Sequence, residues 1–342
     1  MDFKEFVESV QNELPNHFTD TFKNAEVSPT EVNKLQGESY SGITVRPENS
    51  DLGVTVGLES YYEQFNQGRS MDSILSAIAE GAEHHLADAP QFNKNELMDY
   101  EAMKPYLTVQ LVGKDTNAEM LQTVPHRDME DMAVVYRFAL QQTEDGTASV
   151  LVNNSMMENY GITQEQLHAD AIENAAMNHP ANIRNMNEVI AEMMGGMFPM
   201  PDEPAPMYVA TNDNGFHGAG VMAYTDFMEQ ATEKLGGSFY ILPSSIHEVI
   251  MVPDDFQMKA QELKAMVTEV NGSEVAPTDR LTDNVYHYDA DAKVLEQADK
   301  FEARQMEKDT RKSVLEELGQ KKETVAKMPK AHAAPKRDEV AL

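Results

Sequence analysis

The chain has 342 residues, 41% hydrophobic and 25% charged, enough to bury a large core as one large domain or as two to three small ones. It contains no cysteine, which excludes disulfides, cysteine-ligated zinc and Cys-His catalysis. Its 27 basic and 58 acidic residues give a formal net charge of -31, a surface that repels nucleic-acid phosphates.

The N-terminal stretch Met1-Asp2-Phe3-Lys4-Glu5-Phe6 lacks the basic region and apolar run of a signal peptide. No apolar run approaches the roughly 18 residues that cross a bilayer. A cytoplasmic protein with no membrane partner is the expectation. The acidity is uneven. Residues 291–342 hold 12 Lys and Arg against 11 Asp and Glu, so the first 290 residues carry 15 basic and 47 acidic residues.

Phe3, Phe6, Val7, Val10 and Leu14 recur at helical spacing and predict an opening amphipathic helix that stops at Pro15. Ile43 and Val45, then Val54, Val56 and Leu58, alternate with polar or small residues across a turn at 47–51, the pattern of a hairpin. Ser70 caps a helix carrying Ile74, Leu75, Ile78, Ala79 and Leu86. Residues 1–95 therefore read as a helix-hairpin-helix portion.

Residues 96–200 read as a middle α+β portion. Leu107, Val109 and Leu111 alternate as a half-buried strand. Val134, Tyr136, Phe138 and Leu140 form a second such set, with 148–152 as its hairpin partner, while Pro125-His126-Arg127-Asp128 reads as an ion-paired loop before it. Thr163 and Gln166 have capping-box spacing, flanked by Ile162 and Leu167 as a hydrophobic staple. The Met-, Pro- and Gly-rich stretch 193–207 is a linker by its composition, with an adaptable methionine surface as the alternative.

Residues 201–290 form a C-terminal α+β portion. A strand at 207–210 precedes a helix through Phe227, Met228, Ala231 and Leu235 that Thr225 caps and Gly236-Gly237 ends. Two strands flank Pro243-Ser244-Ser245, the second over 246–252. A helix carrying Phe256, Ala260, Leu263, Val267 and Val270 follows, and a last strand covers 285–288. This order is that of a split βαβ unit, with helices on one face of an antiparallel or mixed sheet. The charged segment 291–342 reads as an exposed helix to about Glu323 and then a disordered tail. The fold class is α+β.

Strand parity selects the polar candidates. In a strand over 246–252, His247 shares a face with Val249 and Met251, and Glu248 points the other way. In the last strand His287 and Asp289 share a face. If the two strands are neighbours, His247, His287 and Asp289 converge as a metal or acid/base set, with Glu248 or Arg280 as an accessory group. The competing reading is structural, since histidines near strand ends often close backbone hydrogen bonds. His84-His85 lacks the i, i+4 spacing of a helix metal pair. Gly215-Phe216-His217-Gly218-Ala219-Gly220 lacks the ending of a phosphate loop and reads as a turn.

Five stretches carry a family likeness: Val135-Tyr136-Arg137-Phe138; Ala148-Ser149-Val150-Leu151-Val152-Asn153; Met207-Tyr208-Val209-Ala210-Thr211-Asn212; Leu242-Pro243-Ser244-Ser245-Ile246-His247-Glu248-Val249; and Ala276-Pro277 through Leu281-Thr282-Asp283-Asn284-Val285-Tyr286-His287-Tyr288-Asp289. Together they resemble a family of uncharacterised bacterial proteins, a domain of unknown function common in anaerobic gram-positive bacteria, over residues 1 to about 290. The resemblance implies no cofactor, substrate or catalytic residue.

Three functions fit these signals. The first is a non-enzymatic interaction or regulatory protein with a protein partner, drawn from the methionine-rich loop and the charged tail. The second is a hydrolase-like or metal-dependent enzyme using His247, His287 and Asp289. The third is an acidic decoy of nucleic acid.

Overall fold

Asp2 and Glu5 start the first helix as a reciprocal capping box, each side chain accepting the other's backbone N–H, and Pro15 ends it in a tight turn at Leu14–His17. The computed structural model describes residues 1–33, 39–48, 53–88, 94–143, 146–195, 207–254 and 258–327. Within 1–88 lie helix α1 (Phe3–Glu13), strands β1 (Glu26–Asn33), β2 (Ser39–Arg46) and β3 (Val54–Gly57), and helices α2 (Glu59–Asn66) and α3 (Met71–Asp88). The strands form an antiparallel sheet in the order β1-β2-β3, with Val45 opposite Val54 as the hairpin pattern requires.

Phe6, Val10, Leu14, Ile43, Val45, Ile74 and Ile78 fill one core beneath this sheet. On the opposite face Thr30, Thr44 and Thr55 join hydroxyls across the three strands at 2.7 Å each. Strand β1 has no expectation behind it, because Pro29 interrupts its alternation. An edge position tolerates the missing N–H. The centre of the hairpin turn lies outside the described residues.

The middle portion has short helices α4 (Lys94–Leu97), α5 (Tyr100–Met103) and α6 (Ala118–Leu121) and strands β4 (Leu107–Gly113), β5 (His126–Met129), β6 (Met132–Thr143) and β7 (Gly146–Leu151). Strand β6 pairs with β4 along one edge and with β5 and β7 along the other, all antiparallel. Residues 126–129 are thus a strand in their own right. The ion pair expected there also exists, between Asp128 and Lys114 at 2.5 Å. Helices α7 (Asn154–Tyr160) and α8 (Gln164–Asn178) follow. Thr163 caps α8 by accepting from the N–H of Gln166 at 3.2 Å, and Ile162 and Leu167 both join the core.

A six-stranded antiparallel sheet completes the fold. Strand β8 (Ala181–Asn185) and helix α9 (Met186–Met193) precede β9 (Tyr208–Asn212), helix α10 (Phe227–Leu235), β10 (Phe239–Leu242), β11 (Val249–Pro253), helix α11 (Ala260–Ser273), β12 (Tyr286–Asp289), β13 (Val294–Gln297) and helix α12 (Ala298–Lys327). Most of the linker 193–207 and the tail beyond Lys327 lie outside the described residues.

The sheet order is β13-β12-β10-β11-β9-β8. Strands β9 and β10 flank β11, and β11 and β12 flank β10, so the split βαβ arrangement occurs twice. Helices cover both faces of the sheet. Phe227 and Ala231 of α10 pack with Phe239, Ile241 and Met251, whereas Ala260, Leu263 and Val267 of α11 pack with Tyr240, Leu242 and Val252. The expectation of helices on one face is corrected by this alternation: both parities of β10 are apolar, so both faces must be buried.

One carboxylate binds the two sheets together. Asp131, in the turn between β5 and β6, accepts hydrogen bonds from Thr282 at 2.7 Å, Asn284 at 2.9 Å, Gln297 at 3.0 Å and the hydroxyl of Tyr286.

Candidate functional site

The five polar residues singled out by strand parity fall in two places. Strand β12 alternates as expected: Tyr286 and Tyr288 face the main core, and His287 faces the other way. His287 is 1% exposed. Its Nε2 lies 3.2 Å from Oδ2 of Asp254, its ring stacks on Phe301 of α12 at 3.5 Å between centroids, and the edge of Tyr240 closes a third side at 4.9 Å. Nδ1 is buried without a partner among the described residues.

Burial pulls the imidazole below its ordinary pKa, although Asp254, Asp289 and Glu296 pull the other way. A folded value below the unfolded one of about 6.5 means that the neutral ring stabilises this packing at neutral pH. That stabilisation is lost as pH falls below the unfolded value.

Asp289 lies near His287 but is committed elsewhere. It accepts the N–H of Ala292 at 3.0 Å and meets Arg304 of α12 at 3.3 Å, and these partners hold its carboxyl below the usual range. Arg304 also donates through Nε to Glu296 at 2.9 Å and sits 5.5 Å from the Phe301 ring. Glu302 accepts the N–H of Ala260 at 3.1 Å, satisfying a free donor at the start of α11, and Lys300 pairs with Glu130. The first two turns of α12 are therefore rooted in the sheet by an aromatic stack, a shared guanidinium and a helix cap.

His247, Glu248 and Arg280 lie elsewhere. The strand expected over 246–252 begins only at Val249, because residues 244–246 bond to other partners. Ser245 forms an isolated bridge with Arg280, Ile246 donates to the carbonyl of Asp279 at 2.9 Å and Leu281 donates to Ser244 at 3.0 Å. The carbonyl of His247 accepts from the Thr211 hydroxyl at 2.8 Å. Its Nε2 lies 3.9 Å from Asp279, and the side chain is 36% exposed. Arg280 donates to the carbonyl of Val275 at 3.1 Å, and Glu248 is partly exposed. Strand β10 stands between β11 and β12, and His247 and His287 share neither a hydrogen bond nor a ring contact. Among the described residues, no three His, Asp or Glu side chains gather as a metal set.

Sequence reasoning passed over Asp254, Phe301, Arg304 and His217. Phe301 and Arg304 follow Ala298 at intervals of three, a short, partly buried face at the start of a polar helix. Judging the segment as a whole averages that face away. His217, read as part of a turn, stands with its ring 6.3 Å from that of His247 and nearly parallel to it.

His17 meets Ser76 at 3.2 Å and Asp72 at 3.9 Å, which matches a hydrolase triad by residue type. However, the Ser76 hydroxyl donates to its own helix at the Asp72 carbonyl, 2.9 Å away, so its proton is already placed and it is not activated as a nucleophile.

No helix among the described residues is long and apolar enough to cross a membrane. No curated protein and no solved structure matches the chain. A family model does match, over residues 3–290, and it is described as a family of unknown function. By that match the chain belongs to the Family of unknown function (DUF5688).

Proposed function

We propose that this protein is a non-enzymatic interaction or regulatory protein of the cytoplasm, whose body holds α12 in a fixed direction for a partner protein. The observation that carries this reading is the two-part character of α12. Its first turns are anchored through Phe301, Glu302 and Arg304. Its remainder runs to Lys327 with Met306, Val314 and Leu318 exposed.

At 30 residues the helix is about 45 Å long. The anchored turns supply the costly nucleus of a helix whose own sequence is too polar to be held by a core. Met306, Val314 and Leu318 fall on one side of it, a pattern suited to an apolar groove. Residues 291–342 are close to charge balance while the body is strongly acidic, so an acidic partner meets less repulsion at the arm than at the body. The arm also lies beyond the family-matched residues 3–290.

The test is affinity capture from native cell extract with the full chain, a version ending at Arg304, and Met306→Ser/Val314→Ser/Leu318→Ser. The cut follows Arg304 because β13 and the first turns of α12 belong to the sheet. Once the captured protein is identified and purified, the triple variant is expected to weaken its binding at least tenfold, about 1.4 kcal/mol. The truncation is expected to abolish binding while leaving the body's unfolding temperature unchanged. Binding retained at full strength by the truncated chain would contradict the reading.

A further inference from the structure

Pairing of β5 with β6 sets Arg127 opposite Val134, whose side chain enters the main core with Leu167 and Ala171 of α8, whereas His126 and Asp128 pair with Val135 and Ala133 on the other face. Arg127 therefore stands on the side that α8 covers. Strand β5 lies at the edge of its sheet, so the side chain runs out beside the helix and is exposed. Asp128, on the opposite face, is engaged by Lys114. Among the described residues no carboxylate lies within ion-pair distance of the Arg127 guanidinium.

A groove of about 480 Å³ brings Arg127 together with His168, Ile172 and Glu173 of α8 and with Asp226 of the turn before α10. That volume lies in the range of small-molecule sites. His168 is fixed from behind, where its Nδ1 lies 3.0 Å from the hydroxyl of the wholly buried Tyr136. Burial pushes that phenol up to about 12, so it keeps its proton, and the imidazole is its partner. The phenol donates to Nδ1, which leaves the ring proton on Nε2. Burial and the Arg127 charge hold the imidazole below its ordinary pKa, so the ring is neutral at neutral pH.

Hydrogen bonds at the two ends of α8 give the groove a direction. Gln164, in the first turn, donates to the carbonyl of His126 and so keeps Arg127 at the start of the helix. Tyr224 donates to the carbonyls of Ala175 at 3.2 Å and His179 at 2.9 Å, which keeps the Asp226 turn beside the last turns. Glu173 belongs to that second half. Donors therefore gather at one end of the groove and carboxylates at the other.

We propose that this groove binds a short zwitterion of dipeptide length, with its carboxylate on Arg127 and Nε2 of His168 and its ammonium group between Glu173 and Asp226. Asp226 accepts from Gln230 through Oδ2 at 2.8 Å, and its Oδ1 faces no such donor. Spacing selects the length. His168 and Glu173 are five residues apart on α8, a rise of about 7.5 Å, whereas two extended residues span about 7 Å. The charges of a single α-amino acid stand too close together to reach both ends. Ile172, between His168 and Glu173 in the helix, supplies an apolar contact for a ligand side chain. The two carboxylates select against a plain anion, which would meet like charge at the far end.

The test follows the His168 ring signals by NMR in the full-length protein, titrated at constant ionic strength with alanylalanine, with N-acetylalanylalanine and with alanylalaninamide. Alanylalanine is expected to shift the signals saturably in the millimolar range, and each blocked form is expected to bind severalfold more weakly. Arg127→Gln is expected to weaken alanylalanine by about tenfold or more. Glu173→Gln/Asp226→Asn is expected to weaken alanylalanine severalfold and to leave N-acetylalanylalanine no weaker than before. All three positions are exposed, so the unfolding midpoints should stay near that of the wild type. The proposal is overturned by the absence of a saturable response, by an undiminished response in Arg127→Gln, or by N-acetylalanylalanine binding as tightly as alanylalanine.

Discussion

Asp131→Ala is expected to cost about 3–5 kcal/mol of folding stability. The substitution removes the single acceptor group that four side chains share. Thr282, Asn284, Tyr286 and Gln297 approach it from the segment before β12, from β12 and from β13, while Asp131 itself belongs to the turn of the middle sheet. The Tyr286 ring is wholly buried, so alanine takes the charged acceptor away from its hydroxyl in an apolar surrounding. Asp131→Asn, which keeps one acceptor oxygen, is expected to lose about half as much.

The pH dependence has a definite sign. Burial alone raises the Asp131 carboxyl, but the donors from Tyr286, Asn284, Thr282 and Gln297 outweigh it and hold the group below its ordinary value. Its stabilising contribution is therefore complete above the unfolded value of about 3.9 and disappears as pH falls through the folded one. Urea unfolding is the measurement. The midpoints of wild type and Asp131→Ala should differ widely at neutral pH and converge in acid. Equal midpoints at neutral pH would contradict the assigned role.

Gly218→Ala is the second large effect expected, at about 3 kcal/mol or more. A β-carbon at that position falls 1.9 Å from the Thr211 hydroxyl oxygen and 2.3 Å from the His247 carbonyl oxygen. The first obstacle is a side chain and the second is backbone. Adding Thr211→Ala to Gly218→Ala therefore restores only part of the loss, because the carbonyl remains in place. Gly220→Ala, whose β-carbon meets the Val109 carbonyl at 3.0 Å, is expected to cost less. A Gly218→Ala protein that unfolds at the wild-type midpoint would show that the turn moves freely away from Thr211.

Local signals were legible where one residue decides one interaction. Pro15 after α1, Thr163 with Gln166 and the left-handed Gly236 after α10 mark helix ends that the structure keeps. Alternation in β4 and β6 gave both the strands and the correct faces. Legibility failed where partners distant in sequence decide. Nothing near Ile246 indicates that its carbonyl is taken by Ala219 and its N–H by Asp279, so the start of β11 was placed too early. Parity placed His287 and Asp289 on one face correctly, yet their partners, Asp254, Phe301 and Arg304, come from a loop and a helix whose approach no strand pattern encodes. Arg137 was visible only as a polar interruption of an apolar strand. That no carboxylate among the described residues pairs with it is a property of the assembled fold.

Amide hydrogen exchange along α12 in the isolated full-length protein distinguishes an anchored arm from a helix covered along its whole length. A step is expected: amides from Glu302 to Lys308, over the turns that Phe301 and Arg304 root, are protected at least ~100-fold more than those from Lys312 to Lys327. Acidification below the ordinary imidazole range should lower the protected end first, as His287 then takes up a proton beneath Phe301. Uniform protection from Glu302 to Lys327 would mean that the distal helix is already covered and is not an arm awaiting a partner.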